Sequence, residues 1–204
     1  MPSAPRVPIL RCLSDSRPTW TAPGHLCLAC GLCCDGVIFD DVQLRPGDDA
    51  MQLQRQGLRL NIAPAEKLKS GRGASARVTA TGRGKFCQPC VAFDGSRCRI
   101  YGSRPVHCRD FECLLLKKFR RGRINPTAAL REIRLAKEQA EKVRALLRRL
   151  GDTNEEMPLA TRFRRTRERL EASTTDATLA EIYADLTIAV HDLNLVLSES
   201  LYPG

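Results

Sequence analysis

The chain has 204 residues, 43% of them hydrophobic and only 5% aromatic, and its formal net charge at pH 7 is +10. This length suits one domain of ordinary size with room for a small appended region. No run approaches the ~18 apolar residues that a bilayer span requires. Prolines at positions 2, 5, 8 and 18 interrupt the stretch in which a secretory signal would be continuously apolar. We therefore expect a cytoplasmic protein that makes no contact with membranes.

The N-terminal part and the centre of the chain contain long irregular stretches. Residues 1–24 are rich in Pro, Ser and Thr without periodicity, which predicts a disordered arm containing Trp20 and a spare thiol at Cys12. Residues 37–39 are a candidate short strand or core insertion, and residues 46–56 a short helix that Gly57 ends. Residues 65–85 predict a glycine-rich loop with one short strand at 77–80, because no phosphate-loop spacing is present.

Nine of the ten cysteines lie in two windows. Residues 27–34 read C-L-A-C-G-L-C-C, and residues 87–113 read C-Q-P-C-V-A-F-D-G-S-R-C-R-I-Y-G-S-R-P-V-H-C-R-D-F-E-C. Cytosolic thiols are kept reduced, so clustered cysteines in that compartment indicate metal binding or redox chemistry more than a disulfide framework. The adjacent pair Cys33 and Cys34 also fits a simple disulfide scaffold poorly. We therefore predict metal binding by thiolates.

The cysteine spacing narrows the kind of metal site. A C-x2-C pair places two thiolates on one turn, which is half of a tetrahedral zinc site. The extended C-x2-C-x2-C of Cys27, Cys30 and Cys33 is typical of ferredoxin-type iron–sulfur proteins, which take a fourth ligand from further away. That fourth ligand is either Cys34 or a cysteine of the second window. The candidate metal ligands are Cys27, Cys30, Cys33, Cys34, Cys87, Cys90, Cys98, Cys108 and Cys113. Nine thiolates suffice for two four-cysteine sites with one to spare, or for one cluster with supporting thiols.

A soft, all-sulfur ligand set selects zinc, Cu(I) or iron–sulfur clusters over Mg²⁺ and Ca²⁺. The expected cofactor is an iron–sulfur cluster or zinc, and the three-thiolate loop favours the cluster. The chain has three histidines, of which His107 adjoins Cys108 and is interpreted as a hydrogen-bonding neighbour in preference to a ligand. Arginines interleaved with the second window favour the thiolate form and can donate N–H bonds to sulfur. These are Arg97, Arg99, Arg104 and Arg109.

Beyond Cys113 the pattern becomes helical. Apolar residues at spacings of three and four predict one long amphipathic helix that starts at Pro126 and stops at Gly151. A second helix is predicted over residues 159–172, and a third from the N-cap candidate Asp176. Residues 117–169 hold 17 Lys and Arg against 7 Asp and Glu, whereas residues 170–204 hold 6 Asp and Glu and no Lys or Arg. We therefore expect the first and last helices to pack antiparallel with attractive flanking charges.

These features predict a mainly α-helical protein. It should combine a small irregular cysteine-rich metal-binding domain, containing a few short strands, with a helical C-terminal tail. The predicted divisions are a disordered arm over residues 1–24, the metal-binding domain over residues 25–116 and a helical hairpin or three-helix region over residues 117–204.

The two cysteine windows resemble the YkgJ-type cysteine-cluster family of zinc- or iron-chelating domains. The family signature is C-x2-C-x2-C-C, followed downstream by C-x-I-Y-x-x-R-P-x-x-C-R-x-F-x-C. The matching residues are Cys27, Cys30, Cys33, Cys34, Cys98, Ile100, Tyr101, Arg104, Pro105, Cys108, Arg109, Phe111 and Cys113. Cys90 with Phe93 is similar to a C-x-F-L element of the family in altered form, whereas Cys87 and the helical tail lie outside the signature. The resemblance implies a metal-bound cysteine cluster and does not imply a reaction.

We therefore predict a metal-binding protein that chelates zinc or iron through its thiolates. One alternative is a redox or methyl-transfer enzyme that uses the cluster catalytically. Within the resemblance, the S-adenosylmethionine-dependent flagellin lysine N-methylase carries a similar cluster, but its activity is not transferred to this chain. No recognisable S-adenosylmethionine fingerprint or substrate motif accompanies it here, so the question of enzymatic activity stays open. The other alternative is a nucleic-acid-binding zinc module, motivated by the net charge, but aromatic residues for base stacking are scarce. The expected partners are the metal ion and, through the C-terminal helices, another protein.

Overall fold

The computed structural model describes residues 23–62, 84–172 and 176–202, without the side chains of residues 23–25. Within these ranges the α-helices are α1 Pro23–Cys30, α2 Ala50–Arg55, α3 Val106–Asp110, α4 Leu114–Arg120, α5 Pro126–Arg149, α6 Leu159–Glu171 and α7 Ala177–Ser200. The strands are β1 Asp41–Gln43, β2 Asn61–Ile62 and β3 Gly84–Cys87, and a 3₁₀ turn spans Tyr101–Ser103. The predicted mainly helical fold with a few short strands is confirmed.

The three strands form one antiparallel sheet in the order β1–β3–β2. Val42 lies opposite Phe86 in the β1–β3 pair, and both side chains are buried. They belong to a small apolar core that also includes Leu53, Leu58 and Cys90. The sheet therefore fixes the start of the second cysteine window against the short helix α2.

The helices α5 and α7 pack antiparallel, as their patterns predict. Ser200 near the end of α7 hydrogen-bonds Glu132 near the start of α5, and Lys142 Nζ lies 4.0 Å from Asp192 Oδ2 further along. Fully buried alanines on both helices allow the backbones to approach closely, and Leu147, Leu186 and Leu197 fill the space between them; the alanines are Ala136, Ala140 and Ala189. Exposed ion pairs contribute only about 0–1 kcal/mol each, so apolar contact holds the pair together.

The ends of the long helices match their sequence signals. Asn125 caps α5 by accepting a 2.8 Å hydrogen bond from the backbone of Ala128, and Gly151 follows the helix with a φ of 83°. Asp176 caps α7 in the same way at Leu179. These caps satisfy backbone N–H groups that a helix leaves unpaired at its start. The predicted starts of both helices are confirmed.

The predicted elements nearer the N-terminus differ in detail. The helix expected over residues 46–56 begins only at Ala50, because Asp49 accepts a hydrogen bond from Gln52 N while Asp48 closes a preceding turn on Arg45. Residues 37–39 form no strand; Val37 is instead a buried core residue, which was the alternative interpretation. The predicted strand at 77–80, with Cys12 and Trp20, lies outside the described residues.

One apolar core joins the cysteine-rich half to the C-terminal helices. Leu26, Leu32 and Leu115 are buried together with the inner faces of α5 and α7. Lys137 on α5 donates a 2.9 Å hydrogen bond to the Ala29 carbonyl of α1. The division into residues 25–116 and 117–204 stays a prediction, as does the arm over residues 1–24, of which the structure describes only the start of α1. No helix in the described ranges is long and apolar enough to cross a membrane.

Candidate metal centre

Eight of the nine described cysteines face one cavity of about 110 Å³. The cavity is lined by Cys27, Cys30, Cys33, Cys34, Cys90, Cys98, Cys108 and Cys113. All nine described cysteines are free thiols. The ninth, Cys87, is exposed at the end of β3 and does not line the cavity. Cysteines of the two windows therefore lie around the same cavity.

The first window combines a short helix with a tight turn. Cys27 and Cys30 are three residues apart in α1 and so share one face of the helix. Gly31 ends the helix with a φ of 70°, and its carbonyl accepts hydrogen bonds from the backbone of Cys34 and Asp35, both at 2.9 Å. This turn places Cys33 and Cys34 directly after the helix and before the buried residue Val37.

The last cysteine of the second window joins α1 through helix packing. Cys113 caps α4, with its Sγ 3.4 Å from the backbone N of Leu116, and α4 packs against α1. This packing groups the thiol of Cys113 with three thiols of the first window. The charge of Cys113 contributes to raising the pKa of each of them, namely Cys27, Cys30 and Cys33. We call these four the first thiol set.

The remaining cysteines form a second group around Cys34. The backbone N–H of Cys90 donates a 2.8 Å hydrogen bond to the Cys34 carbonyl, and Cys98 lies in a β-bridge with Phe93. Cys108 lies in α3, whose first residue, Val106, donates its backbone N–H to Asp48. After burial, the largest influences on Cys34 are the charges of Cys98, Cys90 and Cys108, in that order. We call these four the second thiol set.

Comparison with known families identifies the family of this chain. A family model described as "CxxCxxCC: Putative zinc- or iron-chelating domain" matches residues 26–144, which is more than half of the chain. The chain belongs to this zinc- or iron-chelating family. No curated protein and no solved structure matches it.

Burial dominates the acid–base behaviour of the family's cysteines in this chain. It raises the pKa of Cys30 and of Cys108 to about 12, and neighbouring thiols reinforce the effect. Burial and adjacent cysteines also raise the pKa of Cys33 and Cys34 well above the ordinary value of 9.0. The thiols are thus protonated in the metal-free protein, and a metal has to displace their protons when it binds.

The donor set fits the metals of the family by its chemistry. Eight thiols in an apolar cavity are soft ligands suited to zinc, iron–sulfur clusters or Cu(I). Among the described residues, no group of three or more His, Cys, Asp or Glu side chains is placed to hold a single metal ion. The sulfurs therefore surround the cavity without closing on one point.

Two N–H donors in the cavity wall also fit sulfur-rich ligation. The Nε atom of Arg104 and the Nε2 atom of His107 are buried and have no hydrogen-bond partner among the described residues. Arg45 donates to Nδ1 of His107 at 3.3 Å, which places the proton of the neutral ring on Nε2. Gln88 Oε1, an acceptor, is also buried without a partner and lines the cavity. Ligating sulfur commonly accepts such N–H bonds.

The other residues that the sequence placed near the thiols include arginines, aromatic residues and histidines, and only some of them contact the site. Arg99 binds the Val91 carbonyl and acts on Cys90 and Cys98, whereas Arg97 pairs with Asp94. Arg109 is exposed away from the cavity wall. The signature residues Tyr101 and Phe111 both line the cavity. His191 is exposed on α7, and the His25 side chain lies outside the described residues.

Phe93, part of the altered C-x-F-L element, lines the cavity with its ring against Gly31. The sequence did not indicate Leu201, which directly follows α7, lines the cavity and accepts a hydrogen bond from Leu114 N. No local pattern links Leu201 to cysteines almost ninety residues away.

Replacing Gly31 with alanine is expected to destabilise the centre. The left-handed φ costs a non-glycine residue roughly 1–2 kcal/mol, and the new Cβ would lie 2.5 Å from Cζ of Phe93. Overpacking of this kind costs about 1–3 kcal/mol more. Urea unfolding of Gly31→Ala should therefore show a free energy of unfolding lower by about 2–5 kcal/mol.

Two matched variants separate the causes. Gly57→Ala introduces the same left-handed strain in open space, and Gly102→Ala introduces neither strain nor contact. We expect a loss of about 1–2 kcal/mol for Gly57→Ala and almost none for Gly102→Ala. Equal losses for Gly31→Ala and Gly57→Ala would contradict the contact with Phe93.

Proposed function

We propose that the protein chelates metal at two adjacent four-cysteine sites, which are the first and second thiol sets. The observation that carries the proposal is the grouping of eight free thiols from two distant windows around one cavity. Each set contains four cysteines, which is the ligand number of structural zinc sites and of iron–sulfur clusters. Cys87 is the thiol left over.

The arrangement favours iron–sulfur clusters over single zinc ions. Tetrahedral zinc at a Zn–S distance of about 2.3 Å needs its four sulfurs only about 3.8 Å apart. In the described part of the chain, no three side chains are placed to hold one ion, yet eight thiols surround a volume of about 110 Å³. A cluster of several irons and sulfides spaces its cysteine ligands more widely than a single ion does. The C-x2-C-x2-C spacing of the first set supports the same choice.

The residues around the cavity are suited to hold a negatively charged centre. Each loaded site carries about two negative charges by formal counting. The positive charges of Lys137 and Lys117 favour the thiolate form of cysteines in the first set, and the charge of Arg99 does the same in the second set. The apolar wall, including Ile38, Phe111 and Leu115, limits the access of water to the sulfurs. A bound cluster would supply electron-transfer capacity or a structural cross-link at this position.

Anaerobic purification followed by metal and sulfide analysis tests the proposal. Two four-iron clusters predict about eight iron and about eight acid-labile sulfide per chain, with a brown colour bleached by dithionite. A colourless protein with about two zinc ions and no sulfide would retain chelation by two sites and exclude the clusters. Protein that binds neither iron nor zinc after reconstitution would contradict chelation itself.

A further inference from the structure

Arg104 occupies an unusual position in the wall of the thiol cavity. Its guanidinium carbon lies 3.7 Å from the centre of the Tyr101 ring, a cation–π contact that orients the plane of the side chain. Its Nε–H is buried and makes no hydrogen bond to any residue that the structure describes. A charged donor without a partner is costly in a buried site, so this group requires an acceptor in the cavity.

Arg104 lies beside both thiol sets. It lines the cavity together with Cys27 and Cys113 of the first set and with Cys98 and Cys108 of the second. The sets are themselves adjacent, because Cys33 and Cys34 are consecutive residues of different sets. A single cation in this wall is therefore placed to interact with a negatively charged centre at either site.

We propose that Arg104 is a positioning residue shared by the two metal sites, donating its Nε–H to sulfur and supplying positive charge to both. The inference rests on the proposed chelation at two sites. A guanidinium has donors in fixed directions, whereas the ammonium of lysine has none at the Nε position and a different stacking surface. Loss of a donor to a metal ligand typically weakens metal binding by roughly 10- to 100-fold.

The test compares Arg104→Gln and Arg104→Lys with the control Arg109→Gln, which removes an exposed arginine of the same segment. Each protein is reconstituted anaerobically with ferrous iron and sulfide, and iron transfer to an excess of a ferrous-iron chelator is followed by absorbance. If the wild type carries zinc, the same measurement uses Zn²⁺. We expect transfer from Arg104→Gln to be roughly 10- to 100-fold faster than from the wild type, with Arg104→Lys intermediate and Arg109→Gln unchanged.

Two further backgrounds distinguish a shared role from a role at one site. Cys113→Ser leaves only the second set complete, and Cys34→Ser leaves only the first. Adding Arg104→Gln should accelerate transfer in both backgrounds. Acceleration in one background or in neither overturns the shared role while leaving two-site chelation intact.

Failure of the proposed function would look different, because the wild type would then bind neither metal. Circular dichroism of the metal-free variants controls for folding. Should Arg104→Gln not fold, Arg104→Lys decides the question, since a transfer rate equal to that of the wild type contradicts the proposal.

Discussion

Replacing Cys113 with serine is expected to remove about half of the bound metal, and Cys34→Ser is expected to remove the other half. Each substitution takes one of four ligands from one thiol set. A neutral serine hydroxyl is a hard and poor substitute for a thiolate. Because the two sets draw on different cysteines, the intact set should keep its metal. Iron, zinc and sulfide per chain, measured after anaerobic reconstitution, report the result.

The controls follow from the position of Cys87 and from the double variant. Cys87→Ser should keep the full metal content, because Cys87 is exposed outside the cavity. Cys34→Ser combined with Cys113→Ser should bind almost no metal. Complete loss of metal in either single variant would indicate one shared centre instead of two sites. Unchanged metal in both would show that the cavity thiols are not the ligands.

Cysteine spacing allowed the thiol centre to be predicted. It did not show which cysteines belong to which of the two thiol sets. Short fixed intervals between thiols are what a metal requires of a loop, so both windows stood out from the sequence. Our proposal assigns the neighbours Cys33 and Cys34 to different sets, because the largest charge acting on Cys33 is that of Cys30, whereas the largest charge acting on Cys34 is that of Cys98. Cys113 joins the first set only because α4 packs on α1. These relations depend on tertiary packing and have no local signature.

The same contrast applies to the helices. The long helices α5 and α7 could be predicted because their apolar residues recur at helical spacing over many turns. Helix α1 could not, since its eight residues, P-G-H-L-C-L-A-C, have no amphipathic pattern. It is fixed instead by contacts with the C-terminal helices, including the bond from Lys137 to Ala29. Helix α5 thus supports the centre, and the family match over residues 26–144 includes most of this helix.

The metal-free protein is expected to lose stability as pH rises above about 9. Unfolded thiols ionise near their ordinary pKa of 9.0, whereas burial raises the pKa of Cys30 and Cys108 in the folded protein to about 12. Above pH 9 the unfolded state therefore releases protons that the folded state retains, which favours unfolding. Each such thiol lowers the free energy of unfolding by on the order of 1 kcal/mol per pH unit until the pH reaches its folded-state pKa. Urea unfolding at pH 8 and pH 10, with reductant and without metal, measures the decrease.

The metal-loaded protein should behave in the opposite way. Its ligands are already deprotonated, so alkaline pH removes no proton from them, and stability is lost instead at acid pH, where protons compete with the metal. Metal-free Cys108→Ser should show a smaller decrease in the free energy of unfolding between pH 8 and pH 10 than the wild type. This comparison separates the cavity thiols from lysines and tyrosines that titrate in the same range. An equal decrease in Cys108→Ser and the wild type would contradict a contribution from the buried thiol.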